Sequence, residues 1–373
     1  MKSIKIALSV GEKSGDYLGA ELIKNIKKNF PNALFVGLGG EEMKKEGVKS
    51  LFPIENLSVM GLIDPLLNIK NLLSKRKQLI DYILQEDPDI FIGIDSPSFN
   101  SGISKYLKTK TNIKTIQYVC PQFWAWRKNR VKKFNTYIDH IFTLFPFESD
   151  LLNHEGVSAS FTGHPLAEIF ALNPNKEKAK ENMGLNTDVK YIALLPGSRK
   201  SEIKHHMNLF LEVADNFKEK NPDFKFILAL TDETKFDKNI LSKHTNVILK
   251  KGESRNVMVS SDYALVASGT ASLEALLSKT PHCVVYKSNP FSNFILSRLL
   301  TTKFISLPNI LAEKEIISEF RQKNASLKNI CNELNKISNS SNKEMNNSFY
   351  EIHESLKNIN EDKFIGPLKA LLS

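Results

Sequence analysis

A short apolar run, a turn and an amphipathic stretch recur along this chain, and that alternation restricts its fold more than any other feature. Residues 4–9 are apolar, residues 15–29 carry helical spacing, and residues 33–37 are apolar again. Residues 90–94, 114–119 and 140–144 continue the series. Between them, Leu66, Ile69, Leu73 and Ile80 mark a helix over 65–85, and Pro146 opens another in a first-turn position. Apolar strands separated by helices bury themselves in a parallel sheet covered on both faces. The pattern breaks near 163–174 and restarts, with strands expected at 191–195, 224–229, 246–249, 263–266 and 283–286. A long helix is expected from the Pro196-Gly197-Ser198-Arg199 turn to about residue 220. The polar stretch 333–360 reads as a helix broken near 338–342. The expected fold class is α/β, with two doubly wound, Rossmann-like domains over residues 1–168 and 169–345 facing a central cleft. A helical segment, 346–373, either returns to the first domain or is exchanged between the subunits of a homodimer. Ligands in such folds lie at the carboxyl ends of the strands.

Composition removes several classes. Cys120, Cys283 and Cys331 are widely spaced, which excludes a disulfide scaffold and a paired-cysteine zinc or redox site and fits a reducing compartment. No apolar run reaches the roughly 18–20 residues that span a bilayer. The Met-Lys-Ser-Ile-Lys start runs straight into a strand, so no signal peptide is expected. The net charge is +10, and residues 1–135 supply most of it, with 22 Lys and Arg against 13 Asp and Glu. Such a field favours an anionic partner or surface; compositional drift is the plain alternative.

Several turns hold residues suited to chemistry. The first is GEKSGD at 11–16, where Gly11, Glu12 and Ser14 would face a substrate; it is neither a Walker A loop nor GxGxxG, and an ordinary strand-to-helix turn explains it equally. GIDSPSFN at 93–100 places Asp95 just past a buried strand, where a carboxylate could accept a proton or simply cap the next helix. YVCPQFWAWR at 118–127 contains Trp124, Trp126 and Arg127, beside further basic residues, as an acceptor surface or as core packing. Gly197, Ser198 and Arg199 open a helix whose N–H groups and dipole suit phosphate, or form a plain cap. Ser268, Gly269 and Thr270 repeat that logic, and Glu274 could hold both hydroxyls of a ribose or serve as a capping-box acid. His205 and His206 point different ways on a helix, and Asp87-Pro88-Asp89 reads as a turn, so no metal is expected. Residues 62–80 combine an apolar face with Lys70, Lys75, Arg76 and Lys77, as a membrane-facing segment or an ordinary amphipathic helix.

Together these segments resemble the lipid-A-disaccharide synthases, inverting glycosyltransferases of the GT-B fold. The resemblance rests on GEKSGD, LSVMG (57–61), GIDSPSFN, YVCPQFWAWR, GHPL (163–166), LLPGSR (194–199), SGTASLE (268–274) and SLPNIL (306–311), in family order across residues 4–312. It implies transfer of 2,3-diacylglucosamine from UDP-2,3-diacylglucosamine to 2,3-diacylglucosamine 1-phosphate (lipid X), by a single inverting displacement that needs no cofactor or metal. By the same resemblance, Asp95 is the base and Arg199 stabilises the departing UDP. Gly197, Ser198, Ser268, Gly269, Thr270, Glu274 and Asn309 bind the nucleotide sugar, while Met60, Trp124, Trp126 and Arg127 face the acceptor and membrane. The implied location is the cytoplasmic side of the inner membrane, with no nucleic-acid partner. Ser98 stands where the family often has Asp, and Cys120 and Gln122 replace smaller residues. A UDP-sugar epimerase, a transferase with another acceptor and a lipid-binding protein without activity are the competing readings.

Overall fold

A computed structural model describes residues 4–58, 69–121, 131–231, 238–288, 303–357 and 361–372. The chain divides into two units, residues 1–165 with 358–373, and residues 166–357.

The first unit is built on a parallel sheet. Its strands are β1 (Lys5–Val10), β2 (Leu34–Leu38), β3 (Lys49–Ser50), β4 (Ile90–Ile94), β5 (Lys114–Tyr118), β6 (His140–Thr143) and β7 (Ala159–Phe161). They lie in the order β3-β2-β1-β4-β5-β6-β7. β4 is buried at every position, as a strand covered on both faces must be. The helix Lys13–Asn29 lays Leu22, Ile23 and Ile26 on the sheet. Gly19 in that helix has no Cβ because one would collide with Met43 and Ile94. The helix Glu361–Leu372 completes the same core: Phe364, Ile365 and Leu368 are buried, and the Phe364 ring lies 4.9 Å from that of Phe142.

The second unit repeats the plan. β8 (Lys190–Leu195), β9 (Phe224–Leu230), β10 (Val247–Lys251), β11 (Tyr263–Ala267), β12 (His282–Tyr286) and β13 (Glu319–Arg321) form a parallel sheet in the order β10-β9-β8-β11-β12-β13. The helix Lys200–Lys220 packs Phe210, Val213, Ala214 and Phe217 against it. The broken polar stretch is two helices, Leu327–Ser338 and Lys343–Lys357.

Both sheets have the strand order of the dinucleotide-binding fold. In each, the order reverses at one place: between β1 and β4 in the first, between β8 and β11 in the second. A crevice opens outside the carboxyl ends of the strands at such a reversal, because the two connections leave in opposite directions. The four turns singled out in the sequence follow these four strands, with Gly93 itself the fourth residue of β4. The expected α/β class, with two Rossmann-like domains, is therefore observed.

Candidate active site

In the first unit, β1 and β4 are paired in register, Ser9 with Gly93 and Val10 with Ile94, so the turns after them are neighbours. A Cβ on Gly11 would strike the Ser96 hydroxyl, and one on Gly15 would lie 3.7 Å from the Asp95 Cβ. The GEKSGD turn therefore borders Asp95. Gly11 is buried in the bend before the helix, while Glu12 and Ser14 are exposed, Glu12 at the N-cap and Ser14 in the first turn. Asp16 serves a structural end instead. Its carboxylate accepts the N–H groups of Gly40 (2.8 Å), Glu42 (2.9 Å) and Met43 (3.1 Å) and so caps the short helix Glu41–Lys45.

Asp95 is half-buried and left-handed, with φ 48°, and Ser96 follows at φ 42°. The helix after this turn begins at Pro97, and its N-cap is Ser96 rather than Asp95. The chain thus departs from the strand direction at Asp95. Asp87-Pro88-Asp89 is the turn expected: Asp87 has φ 46°, and Asp89 accepts the Lys5 N–H at 2.8 Å.

In the second unit, β8 pairs with β11, Leu195 with Val266, which brings the Gly197 and Gly269 turns to one edge. Gly197 has φ 117°, and a Cβ there would stand 2.5 Å from the Glu202 Cβ. The sequence leads one to expect open N–H groups at this turn. Instead, the Glu202 carboxylate accepts those of Ser198 (3.0 Å) and Arg199 (3.2 Å). An internal carboxylate occupies the anion-seeking groups, as a capping-box acid does. Ser198 and Arg199 are exposed, and Arg199 is the N-cap.

His206, further along that helix, is buried while His205 is exposed, as their spacing predicts. Its Nδ1 lies 3.0 Å from the Pro196 carbonyl, and its Nε2 accepts the Lys287 N–H at 2.9 Å. One imidazole so ties the turn after β8 to the residue after β12. Burial holds its pKa below the usual histidine value, against raising contributions from the Pro196 carbonyl and Glu202.

The other turn begins at Ser268, whose hydroxyl donates to the Ile305 carbonyl at 3.0 Å. Gly269 is the N-cap of the helix Thr270–Leu277. Glu274 lies beyond the N3 position, which Ser272 occupies, so it is no capping-box acid. It is largely buried, with Arg255 Nε 3.8 Å from one carboxylate oxygen. Burial raises its pKa, and Arg255 only partly offsets that.

Asn309 corrects the sequence reading. Its side chain was expected to meet the nucleotide sugar, but it is fully buried and turned inward. It donates to the Ile317 carbonyl (2.9 Å) and Glu319 (3.0 Å), and it accepts the N–H groups of Ile316 and Ile317 (2.8 and 3.0 Å). All the bonding capacity that a carboxamide readily fills is thereby used. Glu319 is the centre of this cluster. It also accepts the N–H groups of Ile305 and Ser306 (3.1 and 2.9 Å), the Ser306 hydroxyl (2.7 Å) and Arg321 (2.6 Å). Burial alone would push its pKa up. Hydrogen bonds from Arg321, Ser306 and Ile305 override this and hold it below the usual carboxylate value.

Met60, Trp124, Trp126 and Arg127 lie outside the described residues. Residues missed in the sequence include Glu202, His206 as a tie, Arg255, Glu319 and Gln117. Gln117 alone left a readable signal, being a polar residue inside a buried strand.

Two parallel units with Rossmann strand order, each with its candidate turns at the reversal point, follow the plan of the GT-B fold. Solved structures share that fold. The UDP-GlcNAc 2-epimerase of Neisseria meningitidis, bound to UDP-GlcNAc, matches with a TM-score of 0.66 at 15% identity, covering 99% of this chain and 100% of its own. A glycosyltransferase from Rickettsia africae ESF-5 matches with a TM-score of 0.59 at 13% identity, covering 100% and 98%. At such identities the likeness is one of fold. The sequence is more specific. The lipid-A-disaccharide synthases of Idiomarina loihiensis and Hydrogenovibrio crunogenus are each 42% identical to it, over 327 and 331 residues, which are 86% and 87% of this chain and 86% and 88% of theirs. The family model for lipid-A-disaccharide synthetase matches residues 6–365. The chain belongs to that family, and it is a glycosyltransferase of lipid A biosynthesis. The epimerase and non-enzymatic readings fall with that result.

Proposed function

We propose that this chain transfers 2,3-diacylglucosamine from UDP-2,3-diacylglucosamine to the 6-hydroxyl of 2,3-diacylglucosamine 1-phosphate, with inversion at the anomeric carbon. Asp95 carries the reading: a carboxylate in a strained turn at the reversal point of the first sheet, within a run that resembles the family's own. It accepts the proton of the acceptor hydroxyl as the new bond forms. In the second unit, Arg199 and the helix N-terminus at Gly269 stabilise charge on the departing UDP, the role that a metal plays in other transferases. Glu274 takes the ribose hydroxyls, and the Ser268 and Thr270 hydroxyls border the phosphates. Asn309 and Glu319 act from behind, fixing the backbone of 305–309. The Ser198 N–H reaches a phosphate once the Glu202 carboxylate turns aside.

The test is mass spectrometry of a reaction of the purified chain with both substrates in EDTA. The expected product is the β(1→6) tetraacyl disaccharide 1-phosphate, with UDP. UDP without disaccharide would overturn the acceptor assignment. Arg199→Ala should weaken UDP binding about tenfold, the value of one charge-assisted contact, as read by calorimetry. An unchanged affinity would remove Arg199 from the phosphate site.

Both substrates are acylated, so the reaction belongs at a membrane surface, here the cytoplasmic side of the inner membrane. Among the described residues no helix is long and apolar enough to cross a membrane. The helix Ile69–Glu86 exposes Ile69 and Leu73 at an i,i+4 spacing beside exposed Lys70 and Lys77. Apolar side chains edged by lysines suit an anionic bilayer. Leu73→Glu should lower binding to vesicles containing phosphatidylglycerol at least about fivefold, since it removes apolar contact and adds repulsion. Unchanged sedimentation with the vesicles would place the membrane contact elsewhere.

A further inference from the structure

We infer that Asn100 and Gln117 are positioning residues for Asp95, a deepening that rests on the reading of Asp95 as the base. Three non-glycine residues with positive φ stand at the carboxyl ends of two adjacent strands: Asp95 (48°) and Ser96 (42°) after β4, and Val119 (76°) after β5. Each is a conformation that side-chain-bearing residues rarely adopt, and it persists only where its surroundings overdetermine it. For the β-branched Val119 the conformation is a genuine outlier.

Two buried carboxamides supply that constraint. Asn100 Nδ2 donates toward the carbonyl oxygens of Asp95 (2.9 Å), Ile94 (3.2 Å) and Ser9 (3.2 Å). Gln117 Nε2 donates toward those of Asp95 (3.1 Å), Tyr118 (3.2 Å) and Val119 (3.2 Å). The ends of β1, β4 and β5 therefore meet on two side chains, and the Asp95 carbonyl is where the two overlap. The Asp95 N–H is held as well, by the Tyr118 carbonyl at 2.9 Å. Gly93 makes the arrangement sterically feasible. A Cβ there would stand 2.8 Å from the Asn100 Cβ and 3.2 Å from Gln117 Oε1. Among the described residues Asn100 Oδ1 has no hydrogen-bond partner, so what the amide contributes to them is its donors.

A peptide pinned at both its N–H and its carbonyl leaves the Asp95 side chain little freedom except about its own side-chain torsions. Proton transfer needs its acceptor within hydrogen-bond reach of the hydroxyl, so a displacement on the order of 1 Å is expensive. Asn100 and Gln117 do not touch the reacting atoms; they fix the carboxylate that does.

The test is Gln117→Met, which keeps the volume and removes the donors. Disaccharide formation should lose about 10- to 100-fold in kcat. KM for either substrate should stay within about threefold, and UDP affinity within about twofold, since the change touches no binding contact. In an Asp95→Asn background the same change should lower the remaining turnover by less than about threefold, because the group it positions is already disabled. If Gln117→Met does not melt cooperatively, Gln117→Asn takes its place, since the shorter amide cannot span to Asp95. A kcat near that of the unaltered chain, with Asp95→Asn inactive, would overturn the positioning role and leave the base assignment standing. Equal losses in both backgrounds would also overturn it, as a general structural effect. Full activity of Asp95→Asn itself would instead refute the reading on which this rests.

Discussion

Asp95→Asn should abolish most turnover while leaving the chain folded and able to bind UDP. General-base catalysis contributes about 10²- to 10⁴-fold, so kcat should fall within that range. The substitution is nearly isosteric and removes only the ability to take a proton. Asparagine also tolerates left-handed backbone better than most residues, so the turn at φ 48° should survive. UDP affinity should not change, because the proposed nucleotide site belongs to the second unit. The measurement is a single-turnover assay of disaccharide formation, with calorimetry of UDP binding alongside. Turnover near that of the unaltered chain would remove Asp95 as the base and direct attention to Glu12, exposed on the neighbouring turn.

Glu319→Ala should have the largest effect on stability. The side chain accepts two backbone N–H groups, a hydroxyl, an amide and a guanidinium. Its removal strands the donors of Ile305, Ser306 and Asn309 together, while Arg321, partly exposed, keeps the Lys303 carbonyl and solvent. Leaving several buried donors unsatisfied at about 1–3 kcal/mol each costs about 3–5 kcal/mol in all. For a unit of this size each kcal/mol corresponds to about 2–4 °C, so melting of the second unit should fall by roughly 6–20 °C. The loss should be pH-dependent with a definite sign. A carboxylate whose folded pKa is depressed stabilises fully above its unfolded pKa, and that contribution disappears as pH falls through the folded value. The difference in melting temperature between the two proteins should therefore be largest near neutrality and shrink under acidic conditions. A constant gap down to about pH 3, below the ordinary carboxylate range, would show that packing, not charge, is what Glu319 provides.

Strand–helix alternation made the two sheets legible, because a strand buried on both faces must be apolar throughout, and residues 90–94 and 263–266 are. The short edge strands were not legible. β3 has two residues, β7 and β13 three each, and none has an apolar run that sets it apart from a loop. The glycine turns were legible because close backbone approach leaves a compositional trace, and Gly11, Gly93 and Gly197 each lack room for a Cβ. What a polar side chain does after folding was not. Asn309 belonged to a recognisable run, yet its amide faces the protein. Glu202 fills N–H groups that the turn alone promised to a ligand. Glu319 has no local signature, since a carboxylate that gathers donors from residues 305–321 is defined only by the folded path of the chain.

The helix Glu361–Leu372 closes the core of a sheet whose first strand begins near residue 5. That sets an order of events during synthesis. The second unit lies wholly within 166–357 and holds all its strands once that stretch has left the ribosome. The first unit must wait for residues 361–372, with Phe142 uncovered on that side in the interval. The half of the chain made first is thus the half finished last. A premature stop anywhere before residue 361 leaves an apolar sheet face open, the kind of surface on which nascent chains aggregate.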